Sequence, residues 1–209
     1  NGRYYNFFSA PGFSLNVKIE EALFTLREGR LVVNGTFITE AHVIARTGPG
    51  RHPKVATASI WASELGDDNW GWQVVNGTCD QHVFKFGTNG WKHCLGLSIE
   101  MSYSTAVITF GNWTVSVGGN KVYDWVSGPR HRLDVSFNAK GDAAARDLPH
   151  GLIGQSFSST APRYGAVDFY PANGLFTTAA QAEGAIEGEA ALYEMPHAHA
   201  TDYAFSRYD

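Results

Sequence analysis

Strict alternation of apolar and polar residues marks the stretch Phe13-Ser14-Leu15-Asn16-Val17-Lys18-Ile19 near the start of the chain. The same pattern returns in residues 112–117 and 132–137. A period of two residues places alternate side chains on opposite faces of a β-strand, one face toward a core and the other toward water. These stretches therefore favour antiparallel β-sheet as the fold class.

Further runs rich in β-branched and aromatic residues predict nine more strands. We place them at residues 22–27, 31–38, 41–46, 55–64, 71–75, 82–86, 95–102, 105–110 and 121–126. Glu28-Gly29 and Gly118-Gly119-Asn120 separate neighbouring runs, and we interpret both as tight hairpins because glycine adopts positive φ easily. Many short strands joined by turns predict an all-β fold, an antiparallel β-sandwich or a flattened barrel.

The sequence from residue 141 onward has a different character. Residues 142–147 fit either one helical turn or a loop, and residues 158–175 predict an irregular connection. Glycines disfavour a helix near the end, so residues 185–193 predict a closing strand. We expect one domain over residues 1–209, with a core of about residues 5–157. The long irregular C-terminal extension, residues 158–209, should pack on this core or on a neighbouring subunit.

Composition excludes several classes of function. The net charge is −4 and only 17% of the residues are charged, without a cluster of Lys and Arg, so we expect no binding to nucleic acid. No apolar run approaches the roughly 20 residues that a transmembrane helix needs, so we expect no membrane span. Hydrophobic residues make up 44% of the chain, which is enough for a large buried core.

The chain has two cysteines, and we predict that Cys79 and Cys94 form a disulfide. Turn residues at 87–90 favour a reversal between strands near 82–86 and 95–102, and antiparallel neighbours bring paired Cα atoms to about 4.5–5.5 Å. The alternative is a pair of reduced thiols in a cytosolic protein.

Three glycosylation sequons begin at Asn34, Asn76 and Asn112. We expect Asn34 and Asn76 to lie in exposed turns, since Asn-Gly favours such turns. Together with a disulfide, the sequons favour an extracellular or cell-surface location.

Tryptophans give the main candidate for ligand binding. Trp70 and Trp72 are two residues apart and would share one face of a strand, where they would stack on a sugar or contact a protein partner. The alternative is that they fill the core, as we expect for Trp113.

Two candidate metal sites follow from residue type. Asp67, Asp68 and Asn69 supply the oxygen ligands that Ca²⁺ prefers, although a hairpin turn explains them equally well. His197 and His199 would share one face of an extended strand as ligands of a transition metal, with a solvated surface tail as the alternative. Beyond a candidate Ca²⁺, we expect no cofactor.

Signals of nucleophilic catalysis are missing from the sequence. There is no Gly-x-Ser-x-Gly motif, and we therefore expect a protein that is not an enzyme. The sequence does not exclude a pair of carboxylates suited to glycoside hydrolysis, because any two strands bring such groups together.

Residues 147–157, Asp-Leu-Pro-His-Gly-Leu-Ile-Gly-Gln-Ser-Phe, resemble a motif of von Willebrand factor type D-like domains. Similar segments occur in the C-terminal domain of inter-alpha-trypsin inhibitor heavy chains and in plant root-cap or late-embryogenesis-like proteins, whose pattern residues 5–17 also resemble. The resemblance implies a secreted β-domain in matrix or surface assembly. Unlike typical members, this chain has two cysteines and lacks the Gly-Asp-Pro-His segment, so no self-cleavage is implied.

The same motif has a physical interpretation. Gly151 and Gly154 predict a sharp bend, with Leu152 and Ile153 entering the core. We expect Gln155 to satisfy buried backbone groups, since its amide both donates and accepts hydrogen bonds.

The sequence thus predicts a secreted or surface-exposed structural or adhesion domain that acts in extracellular assembly without catalysis, with protein partners or further copies of itself. The first alternative is a carbohydrate-binding module that uses Trp70 and Trp72. The second is a metal-dependent enzyme built on His197 and His199.

Overall fold

The computed structural model describes residues 2–26, 28–48, 54–66, 75–80, 82–86, 89–102, 104–158, 160 and 186–209. The fold is mostly β, with 59% strand and 11% helix, and its antiparallel sheet curls into a half-barrel. The predicted all-β, antiparallel fold class is confirmed, with a half-barrel as its form, whereas the long irregular C-terminal segment is not confirmed.

The described residues form thirteen strands and two short α-helices. The strands are β1 (Arg3–Ala10), β2 (Phe13–Leu26), β3 (Leu31–Thr47), β4 (Lys54–Trp61), β5 (Val75–Cys79), β6 (His82–Phe86), β7 (Asn89–Cys94), β8 (Leu97–Ser102), β9 (Thr105–Phe110), β10 (Trp113–Lys121), β11 (Trp125–Ser127), β12 (His131–Ala139) and β13 (Glu194–Met195). The helices are α1 (Ala62–Leu65) and α2 (Ala143–Asp147), and single 3-10 turns cover Gly154–Phe157 and Ala190–Tyr193.

The long strand β3 divides the sheet into two branches. Its second half pairs with β4, which leads to β5 and β6. Its first half meets β12, which leads through β10, β9 and β8 to β7. On its other edge β3 pairs with β2 along its length, followed by β1 and β13. The core lies inside the curl and contains side chains such as Phe8, Leu15, Val43, Ile60 and Ile108.

Aromatic rings fix one end of this core. The Phe8 ring lies 4.6 Å from Trp113 and 4.8 Å from Phe137, measured between ring centroids. Trp113 is buried, as expected, and its indole Nε1 donates to Asp147 in α2 at 2.8 Å. Helix α2 thereby closes the end of the half-barrel.

The disulfide joins the two branches of the sheet. Cys79 ends β5 and Cys94 ends β7, and the two residues are bonded with a Cα–Cα distance of 5.6 Å. The predicted pairing is confirmed, but the predicted strand partners are wrong, because β6 pairs with β5 and β8 pairs with β7. The bond therefore closes the open side of the half-barrel instead of tying one hairpin.

The two predicted hairpins have different outcomes. Leu26 pairs with Leu31 around Glu28 and Gly29, both at positive φ, so the first hairpin is confirmed. The second is wrong, because β10 continues through residues 118–120 and pairs with β12. A Cβ on Gly119 would lie 2.2 Å from the Leu65 carbonyl oxygen, so α1 packs against β10 here because residue 119 has no side chain.

Several predicted strand boundaries shift for local reasons. The run 55–64 ends at Trp61 because α1 begins, and the run 95–102 loses Leu95 and Gly96 to a turn at positive φ. The run 121–126 divides at a turn between β10 and β11, where Asp124 has positive φ. Strands β1 and β7 were not predicted. Of the run 71–75, residues 71–74 lie outside the described residues.

The prediction of a closing strand at 185–193 is wrong for residues 186–193, which the structure describes. Residues 190–193 form a 3-10 turn, and the strand that pairs with β1 is Glu194–Met195. Residues 186–209 of the predicted extension pack on the sheet and bury Tyr193, Met195 and Tyr208. We call this part the C-terminal strap. The irregular connection predicted at 158–175 lies almost entirely outside the described residues.

We predict that the double substitution of Cys79 and Cys94 by alanine lowers the free energy of unfolding by about 3 kcal/mol, since the bond closes a loop of sixteen residues in the unfolded chain. Chemical denaturation measures this loss. Mass spectrometry of the alkylated, unreduced native protein supplies the control, and two labelled cysteines would contradict the bond.

Candidate functional site

A row of polar residues crosses the outer face of the sheet. Asn6 in β1 pairs with Asn16 in β2, which pairs with His42 in β3, which pairs with Ser59 in β4 and then with Thr78 in β5. The alternation that turns Leu15 and Val17 inward turns Asn16 outward, and the same holds on each neighbouring strand. We call this row the polar ladder.

Most of the polar ladder is buried. Asn6 and Asn16 are fully buried, and the exposed fraction is 3% for His42 and 2% for Ser59. Such groups normally face water, and their burial is unfavourable unless hydrogen bonds replace the lost solvent. The C-terminal strap contacts Asn16 and Ser59 and supplies part of these bonds.

Asn16 holds the strap through both protons of its amide. Its Nδ2 donates to the carbonyl oxygens of Ala198 and Ala200 at 2.9 and 2.7 Å. Its Oδ1 accepts a hydrogen bond from the Asn6 amide at 3.0 Å. Between the two alanines, the His199 ring reaches Ser59, with 3.1 Å between Nε2 and Oγ.

The hydrogen bonds from the strap to Glu40 have one consistent direction. Glu40 Oε2 lies 2.9 Å from His42 Nε2, and a carboxylate only accepts, so His42 Nε2 carries the proton. For a neutral ring, Nδ1 then accepts from the Ser59 hydroxyl at 2.8 Å. Ser59 in turn accepts from His199 Nε2. The chain runs from His199 through Ser59 and His42 to Glu40.

Glu40 is the charged end of this chain. Lys18 Nζ donates to its Oε1 at 2.9 Å, and the Tyr4 hydroxyl donates to Oε2 at 3.3 Å. Burial opposes ionisation of Glu40, but hydrogen bonds from His42 and Lys18 outweigh it and lower its pKa to about 2. Burial also lowers the pKa of His199, with a further contribution from the nearby His42. Glu40 is therefore an anion and His199 is neutral at pH 7.

Serine, histidine and carboxylate also compose the triad of many hydrolases, in which the histidine takes the serine proton. Here the strap covers Ser59, and the His199 ring occupies the position from which a substrate would approach its oxygen. Ser59 also lies within β4, paired on both sides with neighbouring strands. The arrangement ties strands and strap together and leaves the hydroxyl inaccessible to a substrate.

Two open pockets lie beside the Glu40 end of the network. One, with a volume of about 700 Å³, is lined by residues that include Arg3, Tyr5 and Glu20. The other, of about 200 Å³, shares Glu20 and is also lined by Glu40 and Trp61. Aromatic rings and carboxylates therefore line an accessible surface next to the buried network.

A second buried cluster joins the strap to the 147–157 motif. Gln155 is buried, donates to the Gly151 carbonyl at 3.0 Å and accepts from the backbone N–H of Glu187 at 2.8 Å. The expectation that it satisfies buried backbone groups is confirmed. The expectation for Leu152 and Ile153 is wrong, because Leu152 is half-buried and Ile153 is 42% exposed, while their N–H groups bond to β1.

The structure places the predicted metal ligands differently from the sequence. His197 and His199 lie in a bend and a turn, so the extended strand that would have aligned them is absent. His197 is exposed and His199 bonds to Ser59. Within the described ranges, no three His, Cys, Asp or Glu side chains lie in an arrangement that would hold a metal. The candidate calcium ligands Asp67, Asp68 and Asn69 lie outside the described residues, as do Trp70 and Trp72.

The sequons also differ from expectation in their local structure. Asn34 lies in β3 and Asn76 in β5, so the prediction of turns is wrong for both. Asn34 is exposed, whereas the Asn76 side chain donates to Glu64 at 3.1 Å. Asn112 lies in the exposed turn between β9 and β10. Glycosylation at the three sites stays a prediction.

The polar ladder is not predicted by the sequence, although its residues Asn16, His42 and Ser59 occupy polar positions of predicted strands. The available signal was the recurrence of Asn16, His42 and Ser59 at such positions, which by itself predicts a surface facing water. These residues form a buried network only because the strap covers that surface.

Comparison of the chain with protein-family models, with curated proteins and with solved structures gives no match. In the part of the chain that the structure describes, no helix combines the length and apolar character needed to cross a bilayer.

We predict that Glu40→Gln lowers the free energy of unfolding at pH 7 by about 1–3 kcal/mol, because Lys18 and His42 lose a charged acceptor. In the wild type, a lowered pKa means that the carboxylate stabilises the fold above its ordinary pKa of 4.5 and that this contribution is lost as the pH falls through about 2. Urea denaturation between pH 2 and 7 measures both effects.

The exposed Glu21 on β2 provides the matched control. Glu21→Gln should change the free energy of unfolding by less than about 0.5 kcal/mol. Equal losses in the two variants would contradict a special role for Glu40.

Proposed function

We propose that this chain is a secreted or surface-exposed structural domain that acts in extracellular assembly or adhesion without catalysis, as the resemblance to von Willebrand factor type D-like domains implies. The observation that carries the proposal is the burial of Ser59 between two imidazoles under the strap. The most reactive arrangement among the described residues is thereby used to hold the fold together. The bond between Cys79 and Cys94 supports a location in an oxidising compartment.

Assembly needs an accessible apolar surface, and the described residues offer one at the tip of the β2–β3 hairpin. Strand β11 pairs with β2 there, and large apolar side chains that are 38–70% exposed stand on both faces of the tip: Leu26, Val32, Tyr123, Trp125 and Val126. We call this set the hairpin-tip patch. Exposed apolar and aromatic side chains of this kind are typical of protein–protein contacts. We propose that further copies of the chain bind through it.

We predict that the protein self-associates and that Val32→Thr combined with Tyr123→Ser weakens the association at least about tenfold, since apolar contact area is lost. Sedimentation equilibrium over a range of concentrations measures it. Val83→Thr is the matched control, because Val83 in β6 is 69% exposed and lies outside the hairpin-tip patch, and it should leave association unchanged. A monomer at every concentration would contradict the assembly proposal.

The non-catalytic part of the proposal has its own test. A fluorophosphonate probe, which labels activated serine hydroxyls, should leave Ser59 unlabelled in the native protein. Labelling at Ser59 that disappears in Ser59→Ala would establish a reactive serine and contradict a purely structural role.

Carbohydrate binding is the second candidate function, and the smaller pocket favours it. Trp61 supplies a ring for stacking on sugars, and Glu20 in the same pocket supplies a carboxylate that accepts from hydroxyl groups. A glycan array tests it. Binding that is lost with both Glu20→Gln and Trp61→Ala would support a saccharide-binding surface, and an array without binding would eliminate it.

A further inference from the structure

His150 connects the main sheet to the strap. Its backbone exchanges two hydrogen bonds with Ser9 in β1, at 2.7 and 2.8 Å. Its side chain, 6% exposed, stacks on rings of the strap, with centroid distances of 6.0 Å to Tyr193 and 5.0 Å to Phe205. One imidazole thus contacts both the sheet and its cover.

The hydrogen bonds of His150 require a neutral ring. The backbone N–H of Gly151 donates to Nδ1 at 2.9 Å, so this nitrogen presents a lone pair. Nε2 donates to Glu187 in the strap, with 3.0 Å between the nitrogen and Oε2. A proton on Nδ1 would point at the Gly151 N–H, and Gly151 has little freedom to move because a Cβ there would lie 2.6 Å from the Phe7 backbone.

The charged groups around the His150 ring have opposing effects on its protonation. Glu187 favours the imidazolium, whereas Arg207 of the strap disfavours it. The phenols of Tyr193 and Tyr203 have raised pKa values, chiefly through burial, and stay neutral. Strand β1 contributes backbone groups of Ser9. Burial is the largest effect and lowers the pKa of His150 in spite of Glu187.

We propose that protonation of His150 releases the C-terminal strap from the sheet in mildly acidic solution and exposes the polar ladder and the edge of β1. The core stays folded, because Phe8, Leu15 and Val43 pack on the inner face and the disulfide closes the half-barrel without the strap. The strap is thereby an acid-sensitive cover. This inference does not depend on the function proposed above.

The sign of the effect follows from linkage. A lowered pKa in the folded state means that the closed strap is favoured above the ordinary histidine pKa of 6.5 and loses this stabilisation as the pH falls below it. One proton taken up on opening raises the opening equilibrium constant by up to about tenfold per pH unit.

Hydrogen exchange of the full chain, followed by mass spectrometry between pH 7.5 and 5 and corrected for intrinsic exchange rates, tests the proposal. We expect peptides from residues 186–209 to lose at least about tenfold in protection by pH 5, while peptides from β2 and β10 keep theirs. Unchanged protection of the strap would overturn the proposal, and so would simultaneous loss throughout the sheet.

His150→Asn is the decisive variant, because the asparagine Oδ1 accepts from the Gly151 N–H but does not titrate. We expect its strap to lose clearly less protection at pH 5 than the wild-type strap; the remaining loss is that of His199, whose pKa burial also lowers. The control His82→Asn changes an exposed histidine in β6 and should open in acid like the wild type. Acid opening of His150→Asn to the same extent as in the wild type would overturn the proposal.

If His150→Asn fails to fold, an NMR titration of the wild-type imidazoles replaces it. The midpoint for the His150 ring should coincide with the midpoint of strap opening. Separate midpoints would overturn the proposal.

Discussion

The amide of Asn16 is the contact on which the rest of the structure depends. Its two protons bind the carbonyl oxygens of Ala198 and Ala200, and its oxygen accepts from Asn6. A side chain with two donors and one acceptor is thus satisfied while fully buried. Through this single group, β2 is held to two residues that lie 182 and 184 positions further along the chain.

The remaining polar ladder follows from that contact. Once residues 198–200 lie on the sheet, His199 is placed against Ser59, and the direction of the bonds from Ser59 to His42 and Glu40 is determined by the carboxylate. Each unpaired member would be unfavourable in this buried setting, so the network depends on all of its members. The same dependence makes the strap sensitive to changes in protonation.

The sequence predicted the sheet well because local patterns determine it. The alternation at 13–19, 112–117 and 132–137 specifies strands and the face that each buries, and Glu28-Gly29 specifies its hairpin. Gly119 misled the prediction, since its small size serves a contact with Leu65 that is distant in sequence. The disulfide was predicted as a pair, but its role in joining β5 to β7 depends on the curl of the whole sheet.

The candidate site was less accessible to sequence reasoning. Asn16, His42 and Ser59 occupy positions that alternation assigns to solvent. No local pattern in the sequence predicts that the strap covers them. The strap itself has little regular structure, so its attachment depends on single contacts such as those of Asn16 and His150 and not on periodicity. Long-range contacts of this kind leave no periodic signal.

The buried amide of Asn16 holds the strap on the sheet, and one measurement tests this directly. Hydrogen exchange at neutral pH should show that Asn16→Ala removes most of the protection of residues 196–206, while the exposed Asn112→Ala does not. A strap as protected in Asn16→Ala as in the wild type would contradict the account.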